Sequence, residues 1–128
     1  MTNSKISIKI VDTLLSVSEK DWDACAAPEV VDETRPLDPF TTYRFLRALE
    51  ESGSVGNATG WHPYYILAIS GNQLLGCAPM YIKTHSQGEY IFDHAWANAY
   101  ERAGGKYYPK IQVAVPFTPV PGKRLLAN

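Results

Sequence analysis

The sequence is organised around two apolar runs on either side of the dipeptide Gly71-Asn72, "NATGWHPYYILAIS" and "QLLGCAPMYIKTHS". A glycine-asparagine pair between apolar segments is typical of the turn of a β-hairpin. The spacing predicts antiparallel strands near residues 63–70 and 74–84. A second turn precedes "GEYIFDHAW", which begins at Gly88 and predicts a third strand. Three such strands in succession form a meander.

Strand patterns also occur near both ends of the chain. In "KISIKIVD", Ile6, Ile8 and Ile10 alternate with polar residues, which predicts a strand whose isoleucine face is buried. "YYPKIQVAVPF" predicts another strand from Ile111 to Val115. The tail from residue 118 to 128 contains prolines and has no periodicity, so no element is predicted there.

Two helices are predicted before the hairpin. Ser18 opens "SEKDWDACAA" in a capping-box-like arrangement, and Trp22, Cys25 and Ala26 are expected to face inward. "DPFTTYRFLRALEESGSVG" has apolar residues at helical spacing, and Gly53 is expected to end that helix.

A third, short helix is predicted from "ANAYERAGG", with Asp93 or Asn98 as its N-cap and Gly104-Gly105 as its end. The predicted order is therefore strand, helix, helix, three-strand meander, helix and strand. This order indicates an α+β fold with a largely antiparallel sheet flanked by helices. The 128 residues are expected to form a single domain.

Composition narrows the classes of function. A hydrophobic fraction of 45% and a charged fraction of 20% are typical of a globular protein. The net charge of −1 and the short basic clusters give no reason to expect DNA as a partner. Because no apolar run reaches about 18 residues and no signal-peptide pattern occurs, we expect no membrane span and a cytoplasmic protein. In that compartment Cys25 and Cys77 are expected to be reduced and buried.

The stretch from Gly88 to Lys110 is rich in aromatic and charged residues and is the first candidate for a site. It has no close pair of histidines or cysteines, so its spacing does not indicate a metal site. The chain also lacks the Gly-x-Ser-x-Gly nucleophile elbow and the glycine-rich motifs that bind phosphates.

Asp93 and His94 remain as candidates for acid–base chemistry. In a strand over residues 89–95, the two side chains point to opposite faces. Asp93 is expected to be the N-cap of the following helix, with a general base or a substrate-binding carboxylate as the alternatives. A histidine can carry protons near neutral pH, but a lone histidine at a strand end can equally be a structural group.

Three stretches carry a resemblance to a known family: "DPF" at 38–40, "LRALEESGSVGNATGWHPYYIL", and the long run from Gly76 to Leu126 that begins "GCAPMYIKTHS". Over nearly the whole chain after residue 10, the sequence resembles the FemAB-like peptidoglycan biosynthesis/recognition family of predicted N-acyltransferases in the GNAT superfamily. The resemblance implies a GNAT-like fold. It also implies that this chain is the N-terminal part of a longer protein, truncated on its C-terminal side.

The resemblance further implies transfer of an acyl or aminoacyl group to an amine acceptor, such as a small molecule or a peptidoglycan precursor. Acyl-CoA or aminoacyl-tRNA would be the donor of the full-length protein, and no cofactor is expected within this chain. The turn before "ANAYERAGG" is not glycine-rich, so an acyl-CoA site is not expected there. On this hypothesis Asp93 and His94 handle the proton, and the acceptor pocket is formed by aromatic side chains: Trp96, Tyr100, Tyr107 and Tyr108.

Two other hypotheses remain open at this stage. The aromatic groove would serve equally well in a non-catalytic module that binds a glycan or a peptide. Alternatively, the chain is an inactive fragment of such an enzyme. A sheet that is cut off after its fifth strand has an open edge, which predicts self-association.

Overall fold

An α+β fold, as predicted, is present in the computed structural model, which describes residues 5–27, 38–89 and 92–127. Its strands form two antiparallel sheets. The larger sheet contains β1 (Ile6–Val11), β3 (Tyr65–Ser70), β4 (Gln73–Ala78) and β7 (Leu126–Ala127), in the order β1-β3-β4-β7. The smaller sheet contains β2 (Trp61–Pro63), β5 (Met80–Lys83) and β6 (Lys110–Val113), in the order β2-β5-β6.

The described helices are α1 (Glu19–Ala26), α2 (Tyr43–Glu51) and α3 (His94–Arg102), with short 3-10 turns at Leu14–Ser16 and Pro39–Thr41. The predicted cap of α1 is confirmed, since the Ser18 hydroxyl accepts a hydrogen bond from the Asp21 backbone N–H at 3.1 Å. Its predicted inward residues are also buried. Gly53 follows α2 with a positive φ of 75°, which is the conformation that a glycine helix stop requires.

The predicted hairpin across Gly71-Asn72 is confirmed as β3 and β4, but its second strand is shorter than expected. The single strand predicted over residues 74–84 is divided at Pro79 into β4 and β5. Proline has no backbone N–H to donate to a sheet, so a regular strand does not continue through it. After the break, β5 leaves the larger sheet and pairs with β2 and β6.

The third strand of the predicted meander is not found in the described part of this region. Tyr90 and Ile91 lie outside the described residues, and Phe92 and Asp93 belong to neither a strand nor a helix. Helix α3 already begins at His94, so the predicted alternation of faces does not extend to residues 94 and 95.

The predicted strand β1 is confirmed, but the prediction that its isoleucine face is buried is wrong. Ile6, Ile8 and Ile10 have exposed fractions of 60%, 62% and 38%. The hydrophobic core lies on the opposite face of the larger sheet, where Leu67 and Leu126 are buried and α1 packs against β4 and β7. Period-two alternation identifies two faces, but the position of the helices decides which one is covered.

The tail, for which no element was predicted, adds the short strand β7 to the larger sheet. Cys77 pairs with Leu126 in the register of β4 and β7, and the Leu126 side chain is buried. The Cys25 and Cys77 thiols are both buried, as predicted. Within the described ranges, no helix is long and apolar enough to span a membrane.

A chain of edge-to-face aromatic contacts connects the two sheets through the core. The ring centroids of Trp22 on α1 and Tyr65 are 5.8 Å apart, and those of Tyr65 and Tyr81 are 5.7 Å apart. The centroids of Tyr81 and Trp61 are separated by 5.4 Å. Such pairs contribute about 0.5–1.5 kcal/mol beyond their burial. Because Tyr65 belongs to the larger sheet and Tyr81 to the smaller one, these contacts fix the sheets relative to each other.

Glu50 on α2 joins three parts of the fold. Its carboxylate accepts hydrogen bonds from the Thr13 hydroxyl at 2.7 Å, the Leu14 backbone N–H at 2.9 Å and the Tyr65 hydroxyl at 2.7 Å. Burial, followed by the neighbouring Tyr81 and the bond to Glu50, raises the pKa of Tyr65. The hydroxyl therefore remains a donor, and the carboxylate holds the residues after β1 against α2 and β3.

We expect Glu50→Ala to lower the free energy of unfolding by about 2–4 kcal/mol, because it leaves buried donors without an acceptor. Urea unfolding monitored by tryptophan fluorescence measures this change. Glu51→Ala is the matched control: the Glu51 side chain is 65% exposed and its ion pair with Arg47 spans 3.7 Å. That control is expected to change stability by less than about 0.5 kcal/mol. Equal effects of the two substitutions would contradict the role assigned to Glu50.

Candidate functional site

The register of the smaller sheet places two lysines directly opposite each other. Trp61 pairs with Lys83 across β2 and β5, and Lys83 pairs with Lys110 across β5 and β6. Residues that are direct cross-strand partners share one face of a sheet and lie close together. Like charges in that relation repel each other, so this row requires a negative partner.

Glu89 supplies that negative partner. Its nearly buried carboxylate accepts from Lys83 Nζ at 3.0 Å on one oxygen and from Lys110 Nζ at 2.9 Å on the other. The Gln112 amide, turned so that its nitrogen faces Glu89, donates to both oxygens at 3.2 Å and 2.9 Å. One carboxylate therefore bridges the two facing lysines.

Lys83 is the most deeply buried charged residue among those described, with an exposed fraction of 0%. Its ammonium lies 3.6 Å from the centroid of the Trp61 ring and donates to the Gln87 carbonyl oxygen at 2.8 Å. Burial lowers the pKa of Lys83, and the bond to Glu89 opposes that effect. The face of the Trp61 ring and the Glu89 carboxylate together offset the free-energy cost of removing this ammonium from water.

Asp93 is connected to this row through Lys110. Its Oδ2 accepts from Lys110 Nζ and, at 2.6 Å, from the Tyr107 hydroxyl. Burial alone would raise the pKa of Asp93, but hydrogen bonds, led by the one from Lys110, hold it well below the usual range. Burial would likewise lower the pKa of Lys110, but the bonds to Asp93 and Glu89 raise it. Both groups are therefore charged at neutral pH.

Ser86 and Tyr108 complete the polar cluster. Lys110 Nζ donates to the Ser86 hydroxyl at 3.0 Å, and the Ser86 and Tyr108 hydroxyls form a short hydrogen bond. The loop that follows β5 and the segment that precedes β6 are joined by these contacts. For the remainder of the article, the polar cluster denotes the linked residues Lys83, Ser86, Glu89, Asp93, Tyr107, Tyr108 and Lys110.

One atom of the cluster has no partner. Asp93 Oδ1 is buried and accepts no hydrogen bond from the described residues. Asp93 does occupy the predicted N-cap position of α3, but its side chain makes no capping hydrogen bond because Lys110 and Tyr107 hold Oδ2. A buried carboxylate oxygen without a donor is unusual in a folded protein.

His94 is the first residue of α3 rather than the last residue of a strand, and its side chain is exposed. Its ring stacks on that of Phe92 with a centroid separation of 5.3 Å and an interplanar angle of 17°. It is next to Asp93 in the sequence, and nothing buries it. Its imidazole is therefore accessible to a ligand that reaches the start of α3.

The four aromatic residues predicted to form a pocket fall into two groups. The centroid of the Tyr107 ring is 6.1 Å from that of Tyr100 and 5.1 Å from that of Tyr108. The Tyr107 hydroxyl is hydrogen-bonded to Asp93, and the Tyr108 hydroxyl to Ser86. Trp96 lies on α3 with an exposed fraction of 76%, and it has no ring contact with another described aromatic residue. The structure thus brings Asp93 together with Tyr100, Tyr107 and Tyr108 but leaves Trp96 apart.

Sequence reasoning did not identify Lys83, Ser86, Glu89 or Lys110 as site residues. A usable signal was present for Lys83. In "MYIK" it lies two residues after Tyr81, and therefore on the inward face of the strand, where lysine is rarely found without a partner. Glu89 gave no such signal because its role depends on a pairing between strands that are distant in the sequence.

No metal centre is formed by the residues that the structure describes. Within these ranges, no three or more histidine, cysteine, aspartate or glutamate side chains are grouped so that they could hold a metal ion. The chemistry of the polar cluster is that of charged hydrogen bonds and aromatic surfaces. Its unpaired acceptor, Asp93 Oδ1, lacks the donor that a buried carboxylate oxygen usually has.

Comparison with known proteins gives one result. A family model described as FemAB-like, peptidoglycan biosynthesis/recognition, matches residues 13–128. This range contains the whole polar cluster, the three described helices and every described strand except β1. No curated protein and no solved structure matches the sequence.

We expect Glu89→Ala to lower the free energy of unfolding by about 3–5 kcal/mol, because it leaves two facing lysines without their carboxylate. Glu101→Ala on the exposed surface of α3 is the control and is expected to change stability by less than about 0.5 kcal/mol. Urea unfolding of both variants at neutral pH measures the difference. A loss of stability no larger than that of the control would show that Glu89 does not neutralise the lysine pair.

The pKa of Asp93 also predicts a pH dependence. Because the pKa in the folded state lies below the ordinary value of 3.8, ionised Asp93 stabilises the fold above that pH, and the contribution is lost as the pH falls. We expect Asp93→Asn to reduce the slope of unfolding free energy against pH below about pH 4. Asp21→Asn on the exposed surface of α1 is the control. A slope that Asp93→Asn leaves unchanged would contradict the assignment.

Proposed function

Since the chain belongs to the FemAB-like family of peptidoglycan biosynthesis/recognition, we propose that it takes part in transferring an acyl or aminoacyl group to an amine of a peptidoglycan precursor. The observation that carries this proposal is the state of Asp93. One of its oxygens is held by Lys110 and Tyr107, and the other is buried without a hydrogen-bond partner. The carboxylate is thus fixed in orientation with one acceptor free.

A primary amine fits this acceptor better than a neutral hydroxyl. An ammonium offers donors and a positive charge, and hydrogen bonds between charged groups are about twice as strong as neutral ones. Lys110 already neutralises part of the charge of Asp93, but Lys110 itself is shared with Glu89. The two lysines and two carboxylates of the polar cluster balance each other in formal charge, so any attraction of an amine would be local to the unpaired oxygen of Asp93.

The reaction would form a C–N bond between the amine nitrogen and the acyl carbonyl carbon. It would break the bond from that carbon to the oxygen or sulfur of the donor. An acceptor bound as an ammonium must lose one proton to expose its lone pair and a second when the C–N bond forms. The departing oxygen or sulfur gains one of these protons and the other passes to solvent. Acyl-CoA and aminoacyl-tRNA are both suitable donors in this proposal.

Asp93 would bind the amine and His94 would accept its proton. The low pKa of Asp93 makes it a weak base, so its role is to bind and orient the amine. His94 follows it directly, and histidine is the side chain best suited to accept a proton near neutral pH. The exposed position of His94 allows the proton to pass on to solvent or to the leaving group.

The aromatic residues would hold the remainder of the acceptor. The Tyr100, Tyr107 and Tyr108 rings form a continuous surface next to Asp93, and Trp96 offers a free face on the same helix as Tyr100. Aromatic faces beside polar groups suit ligands that carry both apolar and hydrogen-bonding parts. This arrangement supports a peptide or sugar acceptor that ends in an amine.

Recognition without catalysis is the second candidate function. Two observations favour it. The Phe92 and Trp96 side chains have exposed fractions of 71% and 76%. In the polar cluster beside them, every described buried side-chain oxygen or nitrogen except Asp93 Oδ1 has a hydrogen-bond partner. A site of this kind would bind the same ligand and leave it unchanged. The two functions differ only in whether an amide is formed.

The binding step is tested by calorimetric titration of the chain with a peptidoglycan stem peptide that has a free side-chain amine. The same peptide with that amine acetylated is the ligand control. We expect the free amine to bind at least about tenfold more tightly, a difference of about 1.4 kcal/mol. Asp93→Asn is expected to abolish this preference, whereas Glu101→Gln retains it. Equal affinities for the two peptides would overturn the proposed role of Asp93.

The transfer step is tested by mass spectrometry of the same peptide after incubation with the protein and either donor. We expect His94→Ala to lower kcat by about 10²–10⁴-fold, as is usual for loss of a general base, with an unchanged Tm. A parallel loss of Tm and activity would identify His94 as a structural residue. Binding of the peptide without an amide product from either donor would favour the recognition function.

A further inference from the structure

The strand β1 has one edge without a partner in the described structure. It pairs with β3 along its full length from Ile6 to Val11 and is the terminal strand of the order β1-β3-β4-β7. The backbone N–H and C=O groups on its outer side therefore meet no other described strand. Such an edge is a ready template for another strand, and six residues make it the longest edge strand of either sheet.

The same strand carries the exposed isoleucine row. Ile6, Ile8 and Ile10 point away from the helices, and Ile8 contributes to an apolar groove of about 230 Å³ that Ile66 and Leu125 also line. The exposed fraction of Leu125 is 78%. An edge with unpaired backbone groups beside a continuous apolar surface needs a partner that satisfies both.

We propose that this partner is a second copy of the chain, which pairs antiparallel with β1 about a two-fold axis at Ile8. The two four-stranded sheets would then form one eight-stranded sheet. A two-fold contact places the same surface on both copies, so one self-complementary strand is sufficient. This inference does not depend on the proposed function.

The length and the charges of β1 together select the register: an axis at Ile6 or Ile10 would leave at least half of the strand unpaired, and the charges disfavour two others. Residues that lie directly opposite each other in two antiparallel strands have their side chains on the same face of the sheet. The two-fold axis must therefore pass through a residue and not between two neighbouring residues. An axis at Ser7 would place Lys5 opposite the Lys9 of the second copy, and an axis at Lys9 would place that lysine opposite itself. Both registers bring like charges together, which is destabilising.

The register centred on Ile8 avoids these contacts. Ile8 lies opposite Ile8 of the second copy, Ile6 lies opposite Ile10, and Lys9 lies opposite Ser7. Six isoleucines then form one uninterrupted row across the joined strands. Each cross-strand pair of β-branched residues adds stabilisation beyond the backbone hydrogen bonds.

Single cysteine substitutions test the register directly. Under mild oxidation, Ile8→Cys is expected to give a disulfide-linked dimer through position 8, because only that residue faces itself. Ser7→Cys and Lys9→Cys report the two rejected registers and are expected to remain unlinked. Mapping of linked peptides by mass spectrometry separates these products from any that involve the buried Cys25 or Cys77. A dominant link at position 7 or 9 would overturn the register.

Mixed variants give a second check. Ile6→Cys and Ile10→Cys should each form no disulfide-linked dimer under the same oxidation, whereas an equal mixture of the two should give one. Linkage of either variant alone, with no gain on mixing, would contradict a two-fold axis at Ile8.

Association without cross-linking is measured by sedimentation velocity over a concentration series of the full chain. We expect a reversible dimer, and we expect Ile8→Lys to raise its dissociation constant at least about tenfold by placing two lysines face to face. Ile111→Lys is the matched control, because Ile111 is 66% exposed but lies on β6 of the smaller sheet. The proposal would be overturned by a wild-type chain that stays monomeric into the millimolar range. It would also be overturned if Ile8→Lys left the dissociation constant of the dimer unchanged.

Discussion

Lys83 and Lys110 stand side by side on neighbouring strands, and the region around them is arranged to make that pairing stable. Glu89 bridges the two ammonium groups, Trp61 covers the more deeply buried one, and Asp93 takes a further bond from the other. Because a buried charge without a partner costs several kcal/mol, the loop after β5 and the start of α3 must come close to β6. The orientation of the Asp93 carboxylate follows from this requirement.

Pro79 is the reason that these residues meet. The chain follows the larger sheet as β4, cannot continue its hydrogen bonding through the proline, and enters the smaller sheet as β5. Lys83 at the end of β5 is then between Trp61 and Lys110. The contacts from Trp22 through the core to Trp61 hold the sheets together, so the break changes direction without dividing the core.

The candidate site was partly predictable. Asp93 and the Tyr107-Tyr108 pair stood out because carboxylates and aromatic residues beside a helix start are recognisable in one short stretch. His94 was recognised as a residue type, but its place on α3 was not predicted, since a strand was expected there. Glu89 was missed, because a glutamate outside a helix or strand has no local pattern that separates a surface residue from a bridge between two lysines.

The sequence by itself determined the elements whose signal is local. These are the cap of α1 at Ser18, the turn at Gly71-Asn72, the strand β1 and the family to which the chain belongs. Only the tertiary structure decided that the isoleucine face is exposed and that two lysines share one carboxylate. The physical reason is that periodicity and capping act within a few residues. Burial and charge pairing instead depend on strands such as β5 and β6, which are separated in the sequence by the segment that contains α3.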